Sequence, residues 1–116
     1  NFLTVQEVAA ATTTGAADQL LILTGANFTT ATALVAIETG TREITTGTVL
    51  ADDDAVLVLF SDGTDWTLAA LHNTSGAVST ADIATGETAL VDLATFSGLG
   101  TLDAGDYDAT MFSLIA

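Results

Sequence analysis

The apolar positions fall in short runs separated by Gly, Thr, Asn and Asp, a spacing that suits strands more than long helices. The clearest run is residues 55–60, where Val56, Val58 and Phe60 share one alternating face and Ala55, Leu57 and Leu59 share the other. A strand apolar on both faces is covered on both faces, so this run predicts the central strand of the fold. The cluster Ser61-Asp62-Gly63-Thr64-Asp65 follows, and its Asp-Gly step suits a tight turn because Gly accepts a positive φ without steric cost. The chain then returns through residues 66–72, with Trp66, Leu68, Ala70 and His72 on one face and Thr67, Ala69 and Leu71 on the other.

Residues 18–24 predict a buried strand, and 42–46, 88–96 and 108–115 further strands, with Gly47 and residues 48–51 following the second of these. Residues 31–38 predict a short helix: Leu34, Val35 and Glu38 follow Ala31 at i+3, i+4 and i+7, Thr29 or Thr30 supplies the N-cap, and Gly40 stops it as a C′ glycine. The β-branched Val35 and Ile37 make a strand the alternative there. Thr101 caps a helical turn over residues 101–107. Residues 1–11 fit a helical face (Phe2, Val5, Val8, Ala9) or an extended strand (Leu3, Val5). The expected fold is mainly β: an antiparallel sandwich, or a sheet of about six strands, with one short helix near 30–39 and the turn near 101–107. No Pro, internal repeat or linker breaks the chain, so residues 1–116 read as one domain, with 1–15 as an arm able to pack on its own domain or on a neighbouring molecule.

Composition narrows the function. Fifteen acidic residues stand against one basic residue, Arg42, for a net charge of −14. Such a surface repels phosphate backbones and anionic lipid, so nucleic-acid and membrane-surface binding are not expected. No apolar run reaches the length of a membrane span, so no membrane insertion is expected. The absence of Cys and Lys excludes thiolate metal sites and a P-loop lysine, and tilts the reading towards the cell exterior. The opening residues lack the basic region of a cleavable signal peptide, so the expectation is a processed fragment or export without an N-terminal signal.

Catalytic constellations are not found. His72 is the single His, no G-x-S-x-G occurs, and Asp62-Gly63-Thr64 runs in the wrong order for an aspartic protease. One Trp and one Tyr are too few to line a carbohydrate cleft between paired carboxylates, so the chain is not expected to be an enzyme. Calcium is the one cofactor with candidate ligands: Asp103, Asp106 and Asp108 around Gly105, or the run Asp52, Asp53 and Asp54. Asn27-Phe28-Thr29 and Asn73-Thr74-Ser75 match the glycosylation sequon.

Three segments occur in a suggestive order: FTTATALVAIETG from Phe28, GTVLADDDAVLVLFSDGTDWTLAAL from Gly47, and ALVDLATFSGLGTLDAGDYD from Ala89. The last includes Leu93-Ala94-Thr95-Phe96-Ser97-Gly98-Leu99-Gly100-Thr101-Leu102, ending at Asp106-Tyr107. This arrangement resembles the C-terminal region of RTX-associated and S-layer-like surface proteins of cyanobacteria and proteobacteria, which are exported by type I secretion. The resemblance implies an extracellular location and places a secretion signal at residues 111–116. The glycine-rich nonapeptide of RTX repeats is absent, so no β-roll calcium site is implied.

The expected function is therefore a non-enzymatic structural protein at the cell surface: a subunit or module of a surface layer, filament or adhesin, self-assembling through edge strands into a homo-oligomer or polymer. The assembly candidates are Phe2, Leu3, Val5 and Val8 in the N-terminal arm, and Met111, Phe112, Leu114 and Ile115 in the last strand. The alternatives are a type I secretion and folding module without an assembly role, and a calcium- or carbohydrate-binding module that uses Trp66 as its aromatic platform.

Overall fold

The structure is a computed structural model that describes residues 4–14, 19–46, 50–51, 55–74, 77–78, 83 and 85–106. In chain order the strands are β1 (Thr4–Val8), β2 (Thr12–Thr14), β3 (Gln19–Leu23), β4 (Ile44–Thr46), β5 (Leu50–Ala51), β6 (Ala55–Ser61), β7 (Trp66–Asn73), β8 (Ala77–Val78) and β9 (Thr88–Phe96). Helix α1 (Thr30–Thr39) lies between β3 and β4. Five strands form the main sheet in the order β1-β3-β6-β7-β9, and β2-β4 and β5-β8 form separate two-stranded pairs.

The mainly β class holds, but the sheet is mixed rather than antiparallel. β1 and β6 both run parallel to β3, while β7 runs antiparallel to β6 and to β9. The chain leaves β3 through α1 before it returns as β6, and a crossover of this kind delivers the next strand in the same direction. The second layer on one face is this helix, not a second large sheet, among the described residues. The expected strand at 108–115 lies outside them.

β6 is the middle strand, flanked by β3 and β7. Its alternation divides the core as the two apolar faces require. Val56, Val58 and Phe60 join Leu21, Leu23, Ala69 and Leu71 against Ala33, Ala36 and Ile37 of the helix. On the opposite face Leu59 packs with Leu20, Ile22, Trp66 and Leu102, and Val5, Leu57 and Leu68 border them. Residues directly opposite in a ladder share a face, so the registers carry this division from β1 to β9.

The helix begins as expected at Thr29, whose hydroxyl accepts from the Thr32 N–H while the Thr32 hydroxyl accepts from the Thr29 N–H. Thr thus replaces the usual Glu or Gln of a reciprocal cap. Gly40 ends the helix for a different reason from the one expected. Its φ is −110°, not left-handed, but a Cβ there would lie 2.7 Å from the Ala36 Cα. Close approach of backbone, rather than conformational freedom, demands glycine here. Two residues on, Arg42 turns inward and is buried. Its Nε and Nη2 donate to the Thr24 carbonyl at 3.2 and 2.6 Å, and the guanidinium lies 5.5 Å from the Phe28 ring centre. The single cation therefore braces the β3–α1 corner.

The expected helical turn at 101–107 is instead one reverse turn. The Asp106 N–H donates to the Asp103 carbonyl at 3.1 Å, and an Asp106 carboxylate oxygen accepts from the Asp103 N–H at 2.8 Å. The Thr101 hydroxyl meets the Asp103 carboxylate at 3.4 Å rather than capping a backbone N–H. Short polar side chains satisfying the local backbone outcompete a helical turn here.

Candidate functional site

The β6–β7 turn and the segment after β9 build one end of the sheet together. An Asp62 carboxylate oxygen accepts from the Thr64 and Asp65 N–H groups at 2.8 and 2.9 Å. These two bonds stabilise the ionised form, so they hold the exposed Asp62 below its ordinary value of 3.8, the Asp65 bond contributing most. Asp65 in turn accepts from the Gly98 N–H at 2.8 Å, and the Thr64 carbonyl accepts from the Gly100 N–H at 2.9 Å. The Gly100 carbonyl accepts from the Ser61 hydroxyl and, at 3.1 Å, from the Trp66 indole N–H. The turn is thus a clamp that lays residues 97–102 over Trp66 and seats Leu102 in the core beneath.

β9 borders this end. It pairs with β7 on one side and, among the described residues, with no strand on the other. The register is interrupted between Leu68 and Ala69, where Leu93 is the extra residue of a bulge. Opposite Trp66, Leu68, Ala70 and His72 stand Phe96, Ala94, Val91 and Ala89, so these four share the face that lies away from the helix. The other face is tied to α1 and its core: Leu90 packs against the helix-side cluster, and the rest of that face is polar. Asp92 accepts from the Thr30 hydroxyl at 2.8 and 3.1 Å. At the start of β9, buried Glu38 accepts from the Gly86 N–H at 3.0 Å and the Thr88 hydroxyl at 3.3 Å. The result is a strand whose only carboxylate turns towards the helix while three of its larger apolar side chains are exposed: Val91 is 48% exposed, Leu93 56% and Phe96 45%, with the nearby Leu99 at 52%.

The residues expected from sequence distribute differently. Val5 is half-buried on β1 against the second core cluster, and Val8 is fully buried, so Val8 is core and not an assembly contact. Phe2, Leu3, Met111, Phe112, Leu114 and Ile115 lie outside the described residues. Of the calcium candidates, Asp52, Asp53, Asp54 and Asp108 also lie outside them, while Asp103 and Asp106 meet across the reverse turn described above. No group of three or more metal-ligating side chains occurs among the described residues. Trp66 is buried with its indole N–H engaged, so it offers no exposed platform for a sugar. Asn73 of the second sequon is buried as well, whereas Asn27 is exposed.

Sequence reasoning located β9 but not its exposure. An alternating apolar strand carries no local mark of whether it lies at the centre or the margin of a sheet. No family model, no curated protein and no solved structure matches the chain.

Proposed function

We propose that the chain is a non-enzymatic, extracellular structural module that assembles with copies of itself through the margins of its sheet. The observation that supports this reading most directly is β9: among the described residues it is a marginal strand with Val91, Leu93 and Phe96 exposed, and few other large apolar side chains among those residues lie in solvent. A contiguous exposed apolar face marks an interaction surface more often than an idle one. β1 lies at the opposite margin of the same sheet, and two separate margins are what a polymer needs. The extracellular part rests on the excess of acidic residues, the lack of Cys and the resemblance of residues 28–108 to exported surface proteins. Removing residues 1–11 would destroy core contacts of Val8, so truncation is a poor test. The direct one is light scattering coupled to size exclusion over a wide concentration range, with electron microscopy of the same samples. The expected result is a mass rising above 11.7 kDa with concentration; a monomer at every concentration overturns the reading.

A further inference from the structure

We infer that Asp62–Gly63 is a self-modification site: the peptide bond there isomerises to isoaspartate with water as its reagent, the hydrogen bonds of the folded turn hold the reaction back, and the reaction releases the clamp when it occurs.

The turn itself imposes the reactive pair. Asp62 supplies the acceptor for the Thr64 and Asp65 N–H groups, and Gly63 supplies the φ of +100°. No other Asp in the chain, and no Asn, is followed by Gly. Glycine is the most reactive successor because it has no side chain to hinder its own nitrogen. Asp62 is exposed, so water reaches it.

The step balances without a further reagent. The Gly63 nitrogen bonds to the Asp62 Cγ; its proton and the carboxyl hydroxyl leave as one water, giving a cyclic imide. Water then adds to the imide. Attack at Cγ restores aspartate. Attack at the Asp62 main-chain carbonyl carbon breaks its bond to the Gly63 nitrogen and sends the chain through Cβ and Cγ. The mass of the product is unchanged.

Three hydrogen bonds oppose the first step. The Gly63 N–H donates to the Ser61 hydroxyl oxygen at 3.0 Å, and Ser61 is fully buried. An Asp62 carboxylate oxygen is tied to the Asp65 and Thr64 N–H groups at 2.9 and 2.8 Å. These two bonds also favour the carboxylate, which lacks the hydroxyl that leaves as water. Cyclisation therefore needs the turn to open, and its rate follows the population of that open state.

Isoaspartate adds a methylene to the main chain between residues 62 and 63 and moves the carboxylate from its place in the turn. Thr64 and Asp65 then lose the register in which they hold Gly100 and Gly98. Residues 97–102 come away from Trp66.

The test ages the full chain at neutral pH, folded in buffer and unfolded in concentrated guanidinium chloride. Chymotrypsin then cuts after Phe60 and Trp66, and the peptide 61–66 is searched by chromatography and mass spectrometry for an isomer of unchanged mass. The folded wild type is expected to isomerise about a hundredfold more slowly than the unfolded chain. S61A is expected to gain about fivefold in rate, the worth of one hydrogen bond. D65A loses the Gly98 bond but keeps all three bonds at the reacting atoms, and is expected to match the wild type. Far-UV circular dichroism and Trp66 emission confirm that each variant is folded. Hydrogen exchange at the Gly63 amide of the wild type reads the same protection without a substitution and should be slowed about a hundredfold. An unfolded chain that forms no isomer overturns the site. Equal rates folded and unfolded, or a Gly63 amide that exchanges as fast as in a free peptide, overturn the protection. D65A as fast as S61A overturns the assignment to Ser61. Isomerised protein whose Trp66 emission matches that of the unmodified chain overturns the release of the clamp.

Discussion

Replacing Gly63 with alanine tests how the central hairpin is made. Gly63 sits in the β6–β7 turn with φ +100°, and a Cβ built on it would lie 2.9 Å from the Asn27 Nδ2. Two costs are therefore combined. A positive φ costs an L residue about 1–3 kcal/mol. The contact with Asn27 costs less, about 0.5 kcal/mol or under, because Asn27 is exposed and its amide can swing away. G63A should lose about 2 kcal/mol, which at a typical urea dependence lowers the unfolding midpoint by about 1 M. Trp66 is the single Trp and is buried under residues 97–102, so its emission reports the transition. The cycle of G63A, N27A and the double variant separates the two costs. The backbone explanation requires most of the loss to persist when Asn27 is absent. If the loss disappears in the N27A background the contact was responsible, and if G63A is neutral in both backgrounds the account of this turn is wrong.

Two further outcomes follow from the side chains around β9 and its clamp. Glu38 supplies one acceptor oxygen to both the Gly86 N–H and the Thr88 hydroxyl, so E38A should destabilise by about 2 kcal/mol and E38Q by less than half of that; equal losses in the two variants would show that charge, not hydrogen-bond acceptance, matters there. Asp62 titrates below its ordinary 3.8, so its carboxylate stabilises the fold above that pH and the contribution is lost as pH falls through the lower folded value. The difference in stability between wild type and D62N should accordingly be present at neutral pH and vanish in strong acid; a difference that is constant with pH contradicts the turn bonds drawn to Asp62.

Much of the fold was legible because its local signals agree. The double apolar face of residues 55–60 requires a strand covered on both sides, and β6 is in the middle of the sheet. Asp62 and Gly63 supply the side-chain acceptor and the positive φ that one turn needs, and β6 and β7 are joined by that turn. Thr29, with Thr32 three residues on, starts a helix because the cap is a local exchange of hydrogen bonds. At Gly40 the residue type was right and the reason was not, since the atom that forbids a side chain belongs to the preceding helical turn.

The candidate surface was not legible, and the cause is physical. Alternation reports that a strand has an apolar face; it does not report what lies on it. Val58 and Val91 look alike along the chain, yet one is buried beneath α1 and the other is half in solvent. Strand direction is equally silent in a hydrophobic pattern, so the parallel pairings emerged only from the path of the chain, through β2 between β1 and β3 and through α1 between β3 and β6. The same holds for charge. The chain states that it carries fifteen acidic residues and one basic one. Folding spends the single cation on the Thr24 carbonyl and turns Asp92 to the Thr30 hydroxyl. Burial, strand order and the placement of a charge depend on residues distant in sequence, which is why patterns within a strand reach the element and stop short of the surface.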